Sequence, residues 1–240
     1  MKKWLLDHSH FDIVITSKWM AELVSSSPLV SHFPIHIIPF GIYIKRCGEF
    51  DDNNFRKRYS IPREAVVIAF RHRGKDDKCK GWPFIEEAVL KIHLNSPVYL
   101  VFFDKTGGLK KLKKRYQVVE LRWISNRESL FEAIAAADLF LMPSVAEAFG
   151  MMAIEAMACG TPIIVFEGTA LPEVMHSPHG GIAVPRDANA LACAIEKVLN
   201  DHDLYERLIE NGRRIVREEY SSEKYIQRHI DLYRKLICKK

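Results

Sequence analysis

Residues 139–164 read LFLMPSVAEAFGMMAIEAMACGTPII. Leu139–Met142 is a short, unbroken apolar run, the pattern of a strand covered on both faces of a parallel sheet. A helix of small apolar residues follows from about Gly150 to Cys159. Gly160 then fits a helix stop, and Pro162 opens the next apolar run, Ile163–Phe166.

The same alternation extends outward in both directions. Further strand-like runs are Ile13–Ile15, Ile35–Ile38, Val66–Phe70, Val98–Phe103 and Val118–Ile124. Phe84, Ile85, Ala88, Val89 and Ile92 recur with helical spacing and predict an amphipathic helix over 82–93. Leu130, Ala133, Ile134 and Ala137 mark another, and 187–200, 202–218 and 222–237 also have helical patterns. Strand–helix alternation over Val66–Asn200 predicts an α/β fold, a Rossmann-like doubly wound parallel sheet. Residues 1–40 hold two strand-like runs joined by a helical segment, Ser17–Val24, and a loop. The stretch 45–62, with Asp51, Asp52, Asn53 and Asn54, has the composition of a polar linker.

Bulk properties restrict the function classes. At 240 residues the chain is long enough for one good core, or one domain plus a fragment of another. It is 48% hydrophobic and 27% charged, ordinary for a soluble globular protein. No apolar run approaches the roughly 18 residues of a transmembrane helix, and Trp4–Leu6 is too short for a signal-peptide core. These features predict a cytoplasmic location. Cys47, Cys79, Cys159, Cys193 and Cys238 are dispersed without a CxxC pair, which argues against a disulfide scaffold or a zinc ribbon. The histidines form no HExxH array, so no metal and no cofactor are expected. Net charge is +5, and its densest run is Lys110, Lys111, Lys113, Lys114 and Arg115. That run is a solvated helix face or a peripheral contact with an acidic membrane surface. No nucleic-acid-binding module accompanies it.

The segment 143–164 also carries the chemistry. Ligands of open α/β sheets bind at the carboxyl ends of the strands. The helix there offers its first backbone N–H groups, those of about Phe149 to Met152, to an anion or to hydroxyl oxygens. Gly150 lets the backbone approach a ligand closely. Glu147 precedes the helix and Glu155 lies about 7–8 Å along its axis. Both can face one cleft, where carboxylates suit the vicinal hydroxyls of a ribose and a hexose. On spacing alone, an ordinary N-terminal carboxylate and a solvated one fit equally.

Glu147, seven intervening residues and Glu155 resemble the EX7E motif of retaining GT-B glycosyltransferases of family 4. Pro143-Ser144, Phe149-Gly150, Glu155-Ala156 and Cys159-Gly160-Thr161-Pro162 match its surroundings. Ala69-Phe70-Arg71 through Lys80-Gly81 resembles the family's strand–Arg–loop–Lys-Gly element, with Arg71 preferred over Arg73 in a loop that also holds Lys75 and Lys78. Gly168–Val174, Gly180-Gly181, Ala183-Val184-Pro185 and Asp187 resemble the approach to its last strand and the exit from it. Glu173 is expected as a helix-end residue, and His176 and His179 as surface residues. Thr16–Met20 and Ile38–Gly41 resemble the end of the family's first domain, although Tyr43 stands where an acid is usual. Tyr225–Leu236 resembles the helix that crosses back onto that domain.

The resemblance implies three segments: a remnant of the acceptor-side domain and crossover over 1–44, a nucleotide-sugar-binding Rossmann-like domain over 45–221, and a crossover helix over 222–240. It implies a glycosyltransferase that takes a UDP-, GDP- or ADP-sugar without a metal and retains anomeric configuration, in polysaccharide or glycoconjugate synthesis. The alternative is a truncated or non-catalytic module that holds the nucleotide sugar and needs a partner subunit. By the same resemblance Arg71, Lys80 and Glu147 are catalytic. Phe149, Gly150, Met151, Met152 and Glu155 bind the donor, Glu155 at the ribose and Glu147 at the transferred sugar. With the first domain mostly missing, Tyr225, Ile226, His229, Ile230 and Tyr233 are expected to be exposed or covered by a neighbour. Self-association or a partner subunit is expected there.

Overall fold

The computed structural model describes residues 4, 6, 8–43, 52–72, 78–104 and 109–238. Two short strands, β1 (Ile13–Ile15) and β2 (Ile35–Ile37), pair in parallel and flank helix α1 (Lys18–Ser25). The main sheet then forms from β3 (Val66–His72), β4 (Val98–Asp104), β5 (Gln117–Glu120), β6 (Leu139–Met142), β7 (Ile163–Phe166) and β8 (Ile182–Val184). Every pairing in it is parallel, in the order β5-β4-β3-β6-β7-β8. The helices are α2 (Asp52–Arg58), α3 (Trp82–Lys91), α4 (Arg127–Ala135), α5 (Met151–Cys159), α6 (Leu171–Val174), α7 (Ala188–Asn200), α8 (His202–Glu219) and α9 (Ser222–Ile237).

Alternate strand residues feed two cores, as expected for a sheet covered on both faces. Val67, Ala69, Val101, Phe140 and Val165 pack with Phe131 of α4, the apolar body of α5 and Ile215 of α8. Ile68, Phe70, Phe102, Leu141 and Phe166 pack with Ile85 and Val89 of α3 and Leu191 and Ile195 of α7. Helix α5 is buried from Ala153 to Cys159, which is why its sequence is apolar on every side. Gly160, at φ 80, ends it in the left-handed conformation predicted from the sequence.

Three expectations need correction. The stretch 45–62 is not all linker: 52–58 forms α2. One apolar side chain, Phe55 at 2% exposed, anchors it, too little periodicity to show as a pattern. Arg56 finishes the anchoring, donating to the carbonyls of Ala65 (3.0 Å) and Pro62 (3.4 Å) and to Asp138 (2.9 Å). Strand β5 stops at Glu120 instead of running to Ile124. Its pairing with β4 ends at Phe102 opposite Glu120, with one more bond from Leu121 N–H to Phe102 O at 2.8 Å. The basic run is not a helix face. It surrounds a 3-10 turn, Leu112–Lys114, where Lys111 pairs with Glu86 (3.0 Å), Lys113 pairs with Glu120 and Arg115 donates to the carbonyls of Leu90 and Ile92.

The N-terminal segment is fastened to the main sheet's domain. Ile42 and Ser221 form a parallel bridge, Ile42 N–H donating to Tyr220 O (2.8 Å) and Ser222 N–H to Ile42 O (2.9 Å). In α9, Ile226, Ile230 and Tyr233 are exposed as expected, whereas Tyr225 and His229 are half-buried, and the Tyr225 ring lies 6.3 Å from Phe40. No described helix is long and apolar enough to cross a membrane.

Asp138 joins α2 to the sheet's centre, accepting from Arg56 and from Val67 N–H at 2.6 Å. Asp138→Ala leaves that N–H and a largely buried guanidinium without their acceptor. A loss of about 1.5–3 kcal/mol in unfolding free energy is expected in denaturant titration.

Candidate functional site

Reading outward from its middle, the sheet order reverses between β3 and β6. Their crossovers therefore leave in opposite directions and open a crevice at their carboxyl ends. Arg71 ends β3 next to that crevice, and Pro143–Gly150 leaves β6 along it. Glu155 projects from α5 into the same region. Two clusters form there.

The first is a cavity of about 210 Å³ lined by Arg71, Phe103, Asp104, Trp123, Ile124, Leu130, Met151, Met152 and Glu155. Its walls are mostly apolar and its polar groups few, the usual make-up of a small-molecule site. Arg71 donates through Nε to Asp104 and lies 5.9 Å from the centre of the Trp123 ring. Glu155 is only 6% exposed, and its Oε1 accepts from Arg127 Nη2 at 3.3 Å. Burial pushes the Glu155 carboxyl above the usual carboxylate range, and Arg127, then Arg71, pull it part of the way back.

The second cluster is the ion pair Lys80–Glu147, Nζ to Oε2 at 2.7 Å, with both side chains less than one-fifth exposed. The backbone holds the two loops together, Val145 N–H donating to Cys79 O at 2.7 Å and Ala170 N–H to Glu147 O at 3.1 Å. Gly81 follows Lys80 at φ 72, and a β-carbon there would stand 2.0 Å from the Pro143 carbonyl oxygen. No residue but glycine fits this approach. Gly150 is as constrained: its φ is 92, and a β-carbon would meet the Leu171 side chain at 2.4 Å. It caps α5 without a side chain, so the first N–H groups of the helix point to the crevice unserved by a cap. Ser144 is buried beside them, its hydroxyl without a partner among the described residues.

The structure thus divides the sequence-predicted set. Arg71, Met151, Met152 and Glu155 share the cavity. Lys80 and Glu147 pair beside it, and Gly150 shapes the turn between. Arg71 and Lys80, expected to act together, are each tied to a different carboxylate. The Phe149 ring turns away: it is 3% exposed and packed edge-on between Phe40 and Tyr220, which leaves only its backbone for a ligand. Arg73 and Lys75 lie outside the described residues, as does Cys47. Glu173 sits at the end of the short helix α6, as expected, and also serves another helix. Its carboxylate accepts from the N–H groups of Lys18 (2.8 Å) and Trp19 (3.0 Å) and caps α1. His176 and His179 are exposed, as expected.

Asp104, Trp123 and Arg127 were missed. The strand-end rule that selects Arg71 also selects Asp104, the last residue of β4. Trp123 lies beyond the true end of β5, inside the run expected as strand, and no motif marks Arg127. Among the described residues, no group of three or more His, Cys, Asp or Glu side chains is placed to hold a metal.

A sequence model of the family described as "Glycosyl transferases group 1" matches residues 51–215. An uncharacterized glycosyltransferase of Methanocaldococcus jannaschii is 27% identical over 248 residues, covering 97% of this chain and 62% of that protein. Sucrose-phosphate synthase from Thermosynechococcus elongatus superposes with a TM-score of 0.82 at 26% identity, over 99% of this chain and 61% of that one. Anabaena HepE, solved in complex with UDP-glucose, shares the fold with a TM-score of 0.75 at 18% identity, over 96% of this chain and 66% of its own. The chain spans about three-fifths of the length of the first two.

Because burial raises the Glu155 carboxyl, the folded protein holds that proton more tightly than the unfolded chain does. The group's contribution to stability is full below the unfolded value and is lost as pH rises through the folded one. Glu155→Gln removes the buried charge. Its melting temperature is expected to exceed that of the wild type at pH 8, with the gap closing toward pH 5. Each kcal/mol gained corresponds to about 2–4 °C. Thermal melts across that range check it, and a gap that widens toward acid contradicts it.

Proposed function

The chain belongs to the glycosyl transferases group 1 family, and from that premise we propose that it binds a nucleoside diphosphate sugar at the β3/β6 crevice and transfers the sugar to an acceptor with retention of configuration. The observation that carries this is the cavity itself. It sets Arg71, Glu155 and the N-terminus of α5 around an apolar pocket, with the Lys80–Glu147 pair beside it. The relatives are described as transfer enzymes, which favours transfer over binding alone.

The chemistry follows from charge. A diphosphate brings negative charge into the crevice and gains more as the glycosidic bond breaks. Arg71 and Lys80 supply fixed positive charge for it, and the N–H groups of α5 supply partial charge. Cation and dipole groups of this kind do the work that a divalent metal does in other phosphate sites, so the donor is expected to bind without one. Glu155, at the apolar end, accepts from ribose hydroxyls. Glu147, on the loop before α5, accepts from the transferred sugar, and Lys80 is released toward the diphosphate as that contact forms.

Calorimetric titration of UDP-, GDP- and ADP-glucose against the chain tests this. Binding by one member of the panel, unchanged by EDTA, is expected; binding that needs Mg2+ or Mn2+ contradicts the charge assignment. In the same assay Glu155→Ala is expected to weaken the nucleoside diphosphate and its sugar conjugate alike, by about 1.5–3 kcal/mol. Glu147→Ala is expected to weaken only the conjugate. Equal losses for both ligands in both variants would reverse the assignment.

A further inference from the structure

Glu155 is the only carboxylate among the fully buried polar residues of the described chain. Its environment is lopsided. Oε1 accepts from Arg127, while among the described residues nothing donates to Oε2, and the side chain lines the cavity. Arg127 is the first residue of α4. That helix start is fixed by Asn126, whose side chain accepts from Glu128 N–H at 2.8 Å. The guanidinium lies 5.8 Å from the centre of the Phe131 ring, and the side chain is 62% exposed. A cation thus stands at the rim of the cavity with one arm on the buried carboxylate.

We propose that Arg127 is a positioning residue for the donor: it holds Oε1 of Glu155 so that Oε2 faces the cavity as an ionised acceptor for a hydroxyl of the nucleotide's ribose. This rests on the reading of Glu155 given above. Only an ionised carboxylate accepts at both oxygens without a proton of its own to place, and burial disfavours that form. The charged groups facing Glu155 are Arg127, Arg71 across the cavity, and Asp104, which Arg71 already engages. Arg127 is the largest influence holding Glu155 toward the charged form, ahead of Arg71. A single contact from a mostly exposed arm fixes one oxygen and leaves the other to the ligand.

The test uses the whole chain as wild type, Arg127→Gln and Arg127→Lys. The Glu155 carboxyl is followed by carbon NMR without ligand, and the affinities of UDP-, GDP- and ADP-glucose are measured from pH 5 to pH 8. These probes carry no phosphate that titrates in that range. In Arg127→Gln the Glu155 midpoint is expected to move to higher pH. Affinity on the acid side is expected to fall by roughly tenfold for each unit of that movement, with pH 8 affinity nearly kept. Arg127→Lys is expected to restore most of both. Binding with an unmoved midpoint, or a loss uniform across pH that Lys does not rescue, overturns the proposal alone. Failure of all three probes to bind the wild type at any pH overturns the donor reading and this proposal with it.

Discussion

Everything at the site depends on the reversal of strand order between β3 and β6. At the reversal the crossovers diverge, α3 to one face and α5 to the other, and the backbone leaving each strand meets no covering helix. Two loops fill the gap, one carrying Lys80 and the other Glu147. They approach so closely that Gly81 has no room for a side chain against Pro143. The ion pair between them is a consequence of that backbone contact, and so is the orientation of α5 with its uncapped end toward the crevice.

The site is organised as three opposed pairs: Arg71 with Asp104, Lys80 with Glu147, Arg127 with Glu155. Each of the three cations meets a carboxylate of its own. Partly buried charges are costly alone, so the pairing keeps them tolerable.

Much of this could be read from the sequence because a doubly covered parallel strand has an unambiguous pattern. The runs at 139–142 and 163–166 and the helix between them are placed as expected, since apolar content, Gly160 and Pro162 all agreed. What escaped lay where one residue decides. Helix α2 rests on Phe55 and Arg56, and a single buried ring has no period. Strand β5 is an edge strand, and its length is set by where its pairing with β4 stops, at Phe102, a fact about a neighbour. Arg127 could not be told from any exposed arginine until Glu155 was seen buried beside it. The direction of the Phe149 ring was equally out of reach: proximity in sequence to a turn says nothing about which way a ring points.

The first forty-three residues belong to this account as part of the site's frame. Ser17 donates its hydroxyl to the carbonyl of Ala148 at 2.9 Å, in the loop between Glu147 and α5. Glu173, two residues into α6, caps the helix that Ser17 begins. Phe40 meets Phe149 edge-on, and Phe149 meets Tyr220 the same way, so one chain of rings runs from the N-terminal segment through the binding loop to the end of α8. The loop that carries Glu147 is therefore held from one side by the Lys80 turn, through Val145 and Cys79, and from the other by Ser17 at Ala148 and Phe40 at Phe149. The position of the carboxylate proposed to hold the transferred sugar is thus set jointly by the donor-binding domain and the segment packed against it.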